Sequence, residues 1–218
     1  LGEQQASGIS LDLWALASGG RVPEEILAEE VARQRADAQG KLQVLLAQGI
    51  QWMAAGRCEA AVTTLEQAVK EGNRLGLANA YTAPALPWLA TALRRQAESE
   101  SVLTPRRRLQ LLARAERAAC RAVRIGRRLP NDLPHALREL ALVRAMQGKR
   151  RGIRRLLEKS LAVANRQCAR YEYAQTLAVY GQLGQEFGWP DADHHVCEAQ
   201  KLLYSLEPSA ESDAKNDR

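Results

Sequence analysis

Few side chains in this 218-residue chain stand in patterns that do chemistry, and the first is the run His194-His195-Val196-Cys197. Imidazole and thiolate are zinc ligands, and a site needs four of them arranged tetrahedrally. Neighbouring residues on a helix point about 100° apart, so these side chains cannot converge on one ion without a ligand from elsewhere. Solvated and core roles are expected, and no metal. The four cysteines, Cys58, Cys120, Cys168 and Cys197, are 62, 48 and 29 residues apart with no C-x-x-C pair. Each falls in or beside a helical pattern where a small apolar residue would serve, so buried free thiols and a reducing, cytoplasmic setting are expected. No phosphate-binding G-x-x-x-x-G-K-[ST], nucleophile-elbow G-x-S-x-G or zinc-binding H-E-x-x-H occurs. The chain reads as non-catalytic.

The charge is more informative. The net charge of +6 conceals a segregation, because residues 104–160 carry 17 Lys and Arg against Glu116, Asp132, Glu139 and Glu158. That stretch is +13 and the remainder is −7. Arg107, Arg114, Arg117, Arg121, Arg124 and Arg128 recur at steps of seven, three, four, three and four, which is one stripe of a helix. Arg150, Arg151, Arg154 and Arg155 extend it. Charged helices ordinarily balance such a row with acids four residues away, and this one offers only Glu116, off the stripe. A solvated face or an acidic protein surface accounts for it. The alternative is a basic nucleic-acid-binding module built on the helix 105–129. That reading is the weaker one, because the stretch has no interleaved aromatics for base stacking and no recognition-helix pattern.

The elements that hold these residues are helical nearly throughout. Ala, Leu, Arg, Glu and Gln dominate, there is one Phe, and no strand-like alternation recurs. No apolar run approaches the roughly 18 to 20 residues of a membrane span, so a soluble protein without membrane contact is expected. The first residue is Leu, which suggests a piece of a longer protein with further domains upstream. Residues 1–40 read as N-terminal capping helices, one opened by Ser10 and one opened by Pro23 and running to residue 39. Residues 41–206 read as helical repeats, and 207–218 as a disordered polar tail. Within the repeats, Leu42–Leu75 is a helix-turn-helix hinged at Ala55-Gly56-Arg57. Tyr81–Glu98 follows, with Pro84 and Pro87 moving its regular start to near Ala85. Thr104-Pro105 starts a helix reaching Leu129, His135–Gln147 and Gly152–Arg166 pair, and a last pair ends with Asp191–Leu206.

Leu45, Gln48-Gly49, Trp52, Gly56, Ala61, Leu65 and Ala68 occupy the offsets of a tetratricopeptide repeat. Leu177, Tyr180-Gly181 and Gly188 repeat that frame, while Ala141, Arg144 and Ser160 depart from it. The run from Gly148 onward, with YEYAQTLAVYGQLGQEFG at its centre, resembles the tetratricopeptide regions of large bacterial multidomain signalling proteins, where such arrays follow ATPase, kinase, cyclase or regulator domains. The likeness spans Leu42–Leu206. It implies an all-α, TPR-like solenoid, an α-α superhelix of about four helix pairs, without a cofactor. It implies a protein–protein interaction scaffold that binds a partner protein, a peptide or its own parent chain. First helices would line the concave wall, which places Gln43, Leu46, Ile50 and Met53 of the first pair, Arg138 and Leu142 of the third, and Gln175 and Gln182 of the last in the groove. Where relatives that grip a C-terminal carboxylate carry Lys and Asn, Leu46 and Ile50 stand here, so an apolar or mixed groove is expected.

Overall fold

Local chemistry starts and stops each helix. A computed structural model describes residues 22–34, 37–76, 79–99 and 104–206. Residues 1–21, with the expected helix after Ser10, and the tail 207–218 lie outside the described residues. Pro23 precedes α1 (Glu24–Ala32), and Arg33 then turns to extended backbone. Asp37 opens α2 (Ala38–Ala54), its carboxylate accepting from the amides of Gln39 at 3.0 Å and Gly40 at 2.7 Å. The helix expected to run from Pro23 to residue 39 therefore ends at Ala32. Gly40 belongs to the first turn of α2, where it is buried.

Gly56, at φ +74, makes the turn into α3 (Cys58–Arg74) in the left-handed region that glycine enters without a Cβ clash. The two prolines confine α4 to Ala85–Ser99. Thr104 caps α5 (Pro105–Gly126), its hydroxyl accepting from the Arg107 amide at 3.3 Å. This helix stops at Gly126, three residues before the expected Leu129, because the chain turns there into a 3-10 segment, Pro130–Asp132. Then follow α6 (Leu133–Met146), α7 (Ile153–Arg166), α8 (Arg170–Phe187) and α9 (Ala192–Leu206).

Consecutive helices pack antiparallel, giving four pairs, α2/α3, α4/α5, α6/α7 and α8/α9, with α1 at the start. The first helices of the pairs also touch one another, α2 with α4, α4 with α6 and α6 with α8, and no contact of that extent joins the second helices. This makes two layers of an all-α superhelical array. Burial agrees with the layering: α6 is buried at every position from Leu133 to Ala141. By contrast α7 buries a single stripe, Ile153, Leu157, Ser160, Val163 and Ala164.

Two glycines of the expected frame are packing sockets. A Cβ on Gly49 would lie 2.5 Å from Cγ of Leu65, so the glycine in α2 is the socket for the leucine in α3. Gly181 does the same for Val196, at 2.5 Å, in the last pair. The spacing is less regular than 34 residues. Arg138 and Glu172, which pair across α6 and α8, are 34 apart, but Arg94 and Glu139 across α4 and α6 are 45 apart. Arg114 with Glu66 and Arg121 with Asn73, across α5 and α3, are 48 apart. The long connections before α4 and α5 and the 22-residue length of α5 lengthen the early units.

Replacing Gly181 with Val should destabilise the fold by about 1–3 kcal/mol, since the added side chain meets Val196 and the backbone of α9. Urea unfolding followed by helical circular dichroism measures it, with Gly56→Asn, which adds no contact in open space, as the milder comparison.

Candidate functional site on the inner wall

Three inner helices bring together one stripe each. Trp88, Thr91 and Arg95 of α4, His135, Arg138, Glu139 and Leu142 of α6, and Glu172, Gln175 and Val179 of α8 recur at steps of three and four and line a hollow of about 160 Å³. Arg94 and Tyr171 complete it. Beneath its mouth the charges are paired. The Arg94 guanidinium donates to both oxygens of Glu139, at 2.7 and 3.1 Å, and to both of Glu98 at 2.9 Å. Arg138 donates to Glu172 at 2.5 Å and to the Thr176 hydroxyl at 3.3 Å. Ser160, fully buried on α7, lies 2.9 Å from Thr176 and donates to the Pro134 carbonyl at 2.8 Å. The departure from the repeat frame at position 160 thus ties the outer layer into the network.

Protonation states follow from these contacts. Burial alone would raise the Glu139 carboxyl, but the charge and hydrogen bonds of Arg94 outweigh it and bring the pKa to about 2. Burial likewise opposes the Arg94 charge, and Glu139 and Glu98 together hold it above its ordinary value. His135 is pushed down to about 4, by burial first and by Arg138 second, and is neutral at pH 7. Its tautomer is fixed: Thr91 spends its hydroxyl proton on the Pro87 carbonyl at 3.0 Å, so Nε2–H of His135 donates to Thr91 Oγ1 at 2.9 Å. Trp88 meets the same imidazole edge to face at 4.8 Å. Arg95 differs from the other charges of the hollow in being exposed and having no ionic partner among the described residues.

At the foot of α6, Asp132 is pushed up to about 7, by burial first and by the charge of Glu172 second, and its Oδ2 has no hydrogen-bond partner among the described residues.

The expected groove residues divide. Arg138, Leu142 and Gln175 line the hollow. Gln182 is exposed one turn further along α8, outside it. Gln43, Leu46, Ile50 and Met53 are at most 4% exposed and offer no surface to a partner. Leu46, Ile50 and Met53 belong to one core that includes Val22 and Leu27 from the segment ahead of α2 as well as residues of α3, α4 and α5, and Gln51 donates to the Val22 carbonyl at 2.8 Å. Trp88, Arg94 and Arg95 were not expected in the site. Two adjacent arginines within a helix whose first nine residues are apolar but for Thr91 were the available signal, and the irregular 45-residue spacing hid their alignment with Glu139.

The basic stripe is also divided. Arg114 pairs with Glu66 at 2.5 Å and Arg121 with the Asn73 side chain, whereas Arg107, Arg117, Arg124 and Arg128 are exposed and unpaired among the described residues. Glu116 faces elsewhere, holding Lys149 at 2.7 Å and Arg144 at 3.3 Å. All four cysteines are free thiols, but only Cys58 is buried; Cys120 is half-buried, and Cys168 and Cys197 are exposed, against the expectation of buried thiols. Cys168 sits at the left-handed turn after α7, at φ 53, and Cys197 on the outward side of α9. His194 reaches towards Glu198 at 3.8 Å while His195 packs on Tyr180 at 4.4 Å, and no cluster of three or more metal-ligating groups forms among the described residues. No described helix is long and apolar enough to cross a membrane.

Neither a protein-family model nor a curated protein sequence matches the chain. Among solved structures, the crystal structure of BtubC (BKLC) from P. vanneervenii is similar, with a TM-score of 0.65 and 18% identity over 94% of this chain and 81% of that one. Likeness at this identity is one of fold, and it extends over nearly the whole helical array.

Arg94→Met should cost about 3–5 kcal/mol, because it leaves Glu139 charged and buried without its partner. Adding Glu139→Leu should recover most of the loss, and the double-mutant cycle by chemical denaturation measures the coupling. For Asp132, a folded pKa raised above the ordinary 3.8 contributes stability that is full at acid pH and is lost as pH rises through about 7. Asp132→Asn should therefore leave stability unchanged at about pH 4 and raise it at about pH 8 by up to about 4 kcal/mol. Melting temperatures across that range check the sign.

Proposed function

We propose that this chain is a non-catalytic, TPR-like protein–protein interaction module that holds a short segment of a partner protein, or of its own parent chain, in the hollow between α4, α6 and α8. The observation that carries this reading is the unpaired Arg95 at the mouth of a hollow whose remaining charges neutralise one another. A buried network of paired charges fixes the wall's shape and adds little net field, which leaves Arg95 to select a carboxylate. Trp88, Leu142 and Val179 provide the apolar contact beside it. The segment that fits carries an acidic residue next to an apolar one. The four free thiols support a reducing setting such as the cytoplasm. Nucleic acid fits this site poorly, since the wall carries almost no net charge to meet a phosphate backbone.

Selection from a displayed library of short peptides tests the reading. Recovered peptides should carry an acidic residue, and anisotropy titration should show binding weakened at least about tenfold by Arg95→Glu, equivalent to about 1.4 kcal/mol, and unaffected by Arg124→Glu. Peptides that bind equally well to the Arg95→Glu protein would place recognition elsewhere and sink the proposal.

A further inference from the structure

The outward face of α5 carries charge that the fold leaves unneutralised. Arg106, Arg117 and Arg124 are exposed without acidic partners among the described residues, and Leu109 stands beside them 63% exposed. At about 100° per residue, Arg106, Leu109, Ala113 and Arg117 fall within one arc of roughly 80°. Arg117 and Arg121 repel at the i,i+4 distance. The complement lies on α1. Glu25 and Glu29, also four residues apart, are exposed and unpaired among the described residues, and Ile26 beside them is 47% exposed. Leu27 and Glu30 take the buried side of that helix, Glu25 and Glu29 the opposite side, and Ile26 the flank between them.

We infer that α1 of one copy docks on the outward face of α5 of a second copy, Glu25 and Glu29 against its arginines and Ile26 against its Leu109. The two helices carry like charges of opposite sign at helical spacing, with exposed aliphatic side chains near them: Leu109 on α5, Ile26 and Val31 on α1. Contact removes the repulsion on both helices and covers Leu109 and Ile26. A phosphate backbone would use the arginines and leave Leu109 in water, and α5 has no aromatic residue for base stacking. Because the two faces differ, the contact is heterologous. With only nine residues in α1 it is small, so the association is weak and concentration-dependent. It involves neither Arg95 nor the hollow, so its failure leaves the inner-wall reading untouched.

Sedimentation velocity of the whole chain tests it. In about 50 mM salt the weight-average sedimentation coefficient should rise with concentration, and in about 500 mM salt, where the screening length falls to about 4 Å, it should stay close to the monomer value. Glu25→Lys with Glu29→Lys should abolish the rise, as should Arg117→Glu with Arg124→Glu, and mixing these two variants should restore it because each then offers the complement of the other. Leu109→Ser should weaken association about threefold or more. A monomer at every concentration, or association indifferent to the α1 charge reversal, overturns the proposal. So does tight binding of a single-stranded oligonucleotide that needs Arg117 and Arg124 while the chain stays monomeric, an outcome that assigns the face to nucleic acid.

Discussion

The pair between Arg94 and Glu139 is the constraint on which the inner wall depends. Both side chains are buried, and neither charge is tolerable without the other. Four hydrogen bonds from one guanidinium join α4 to α6 and reach back to Glu98 on its own helix, fixing how far α6 rotates against α4. That rotation sets where Arg138 points, and Arg138 in turn fixes α8 through Glu172 and Thr176. A purely apolar seam would hold the three helices as firmly but would let them slide by a fraction of a turn. The ionic chain gives them one register, and the hollow exists only in that register.

Much of the architecture was legible in the sequence because it rests on short-range rules. Gly49, Leu65 and Gly181 are positions of the expected frame, and in the structure Gly49 receives the Leu65 side chain while Gly181 lies against Val196 and the backbone of α9. Thr104 and the prolines before and within α4 mark helix starts by the hydrogen bonds they make or refuse, whereas the cap at Asp37 lies inside a stretch expected to be one helix. The inner-wall residues were harder. A frame transferred from one unit to the next assumes equal lengths, and 45 residues between Arg94 and Glu139 against 34 between Arg138 and Glu172 defeats it. The misplaced Leu46, Ile50 and Met53 show a second limit. Sequence periodicity assigns them to an inner face, but whether that face meets solvent depends on what the other segments of the core cover.

Charge shows the same division between local and distant causes. Six arginines on one stripe are plain in the sequence, yet only distance in three dimensions shows that Glu66 and Asn73 engage two of them. Glu116 lies in the middle of the stripe's sequence and contributes nothing to it, because its side of the helix meets Arg144 and Lys149. The fold therefore concentrates unpaired basic charge outward on α5, while the wall of the hollow pairs its charges except that of Arg95. Two surfaces of different character result, and they share no residue.

The closing helix has a consequence for how the array comes apart. Only Ala192 and Ala199 of α9 are fully buried, whereas α6 is enclosed over nine successive residues. In a linear array each unit is supported by its neighbours alone. Backbone amides of α9 are thus expected to exchange with solvent through local fraying, well before those of α6, which become accessible only when the interior as a whole opens.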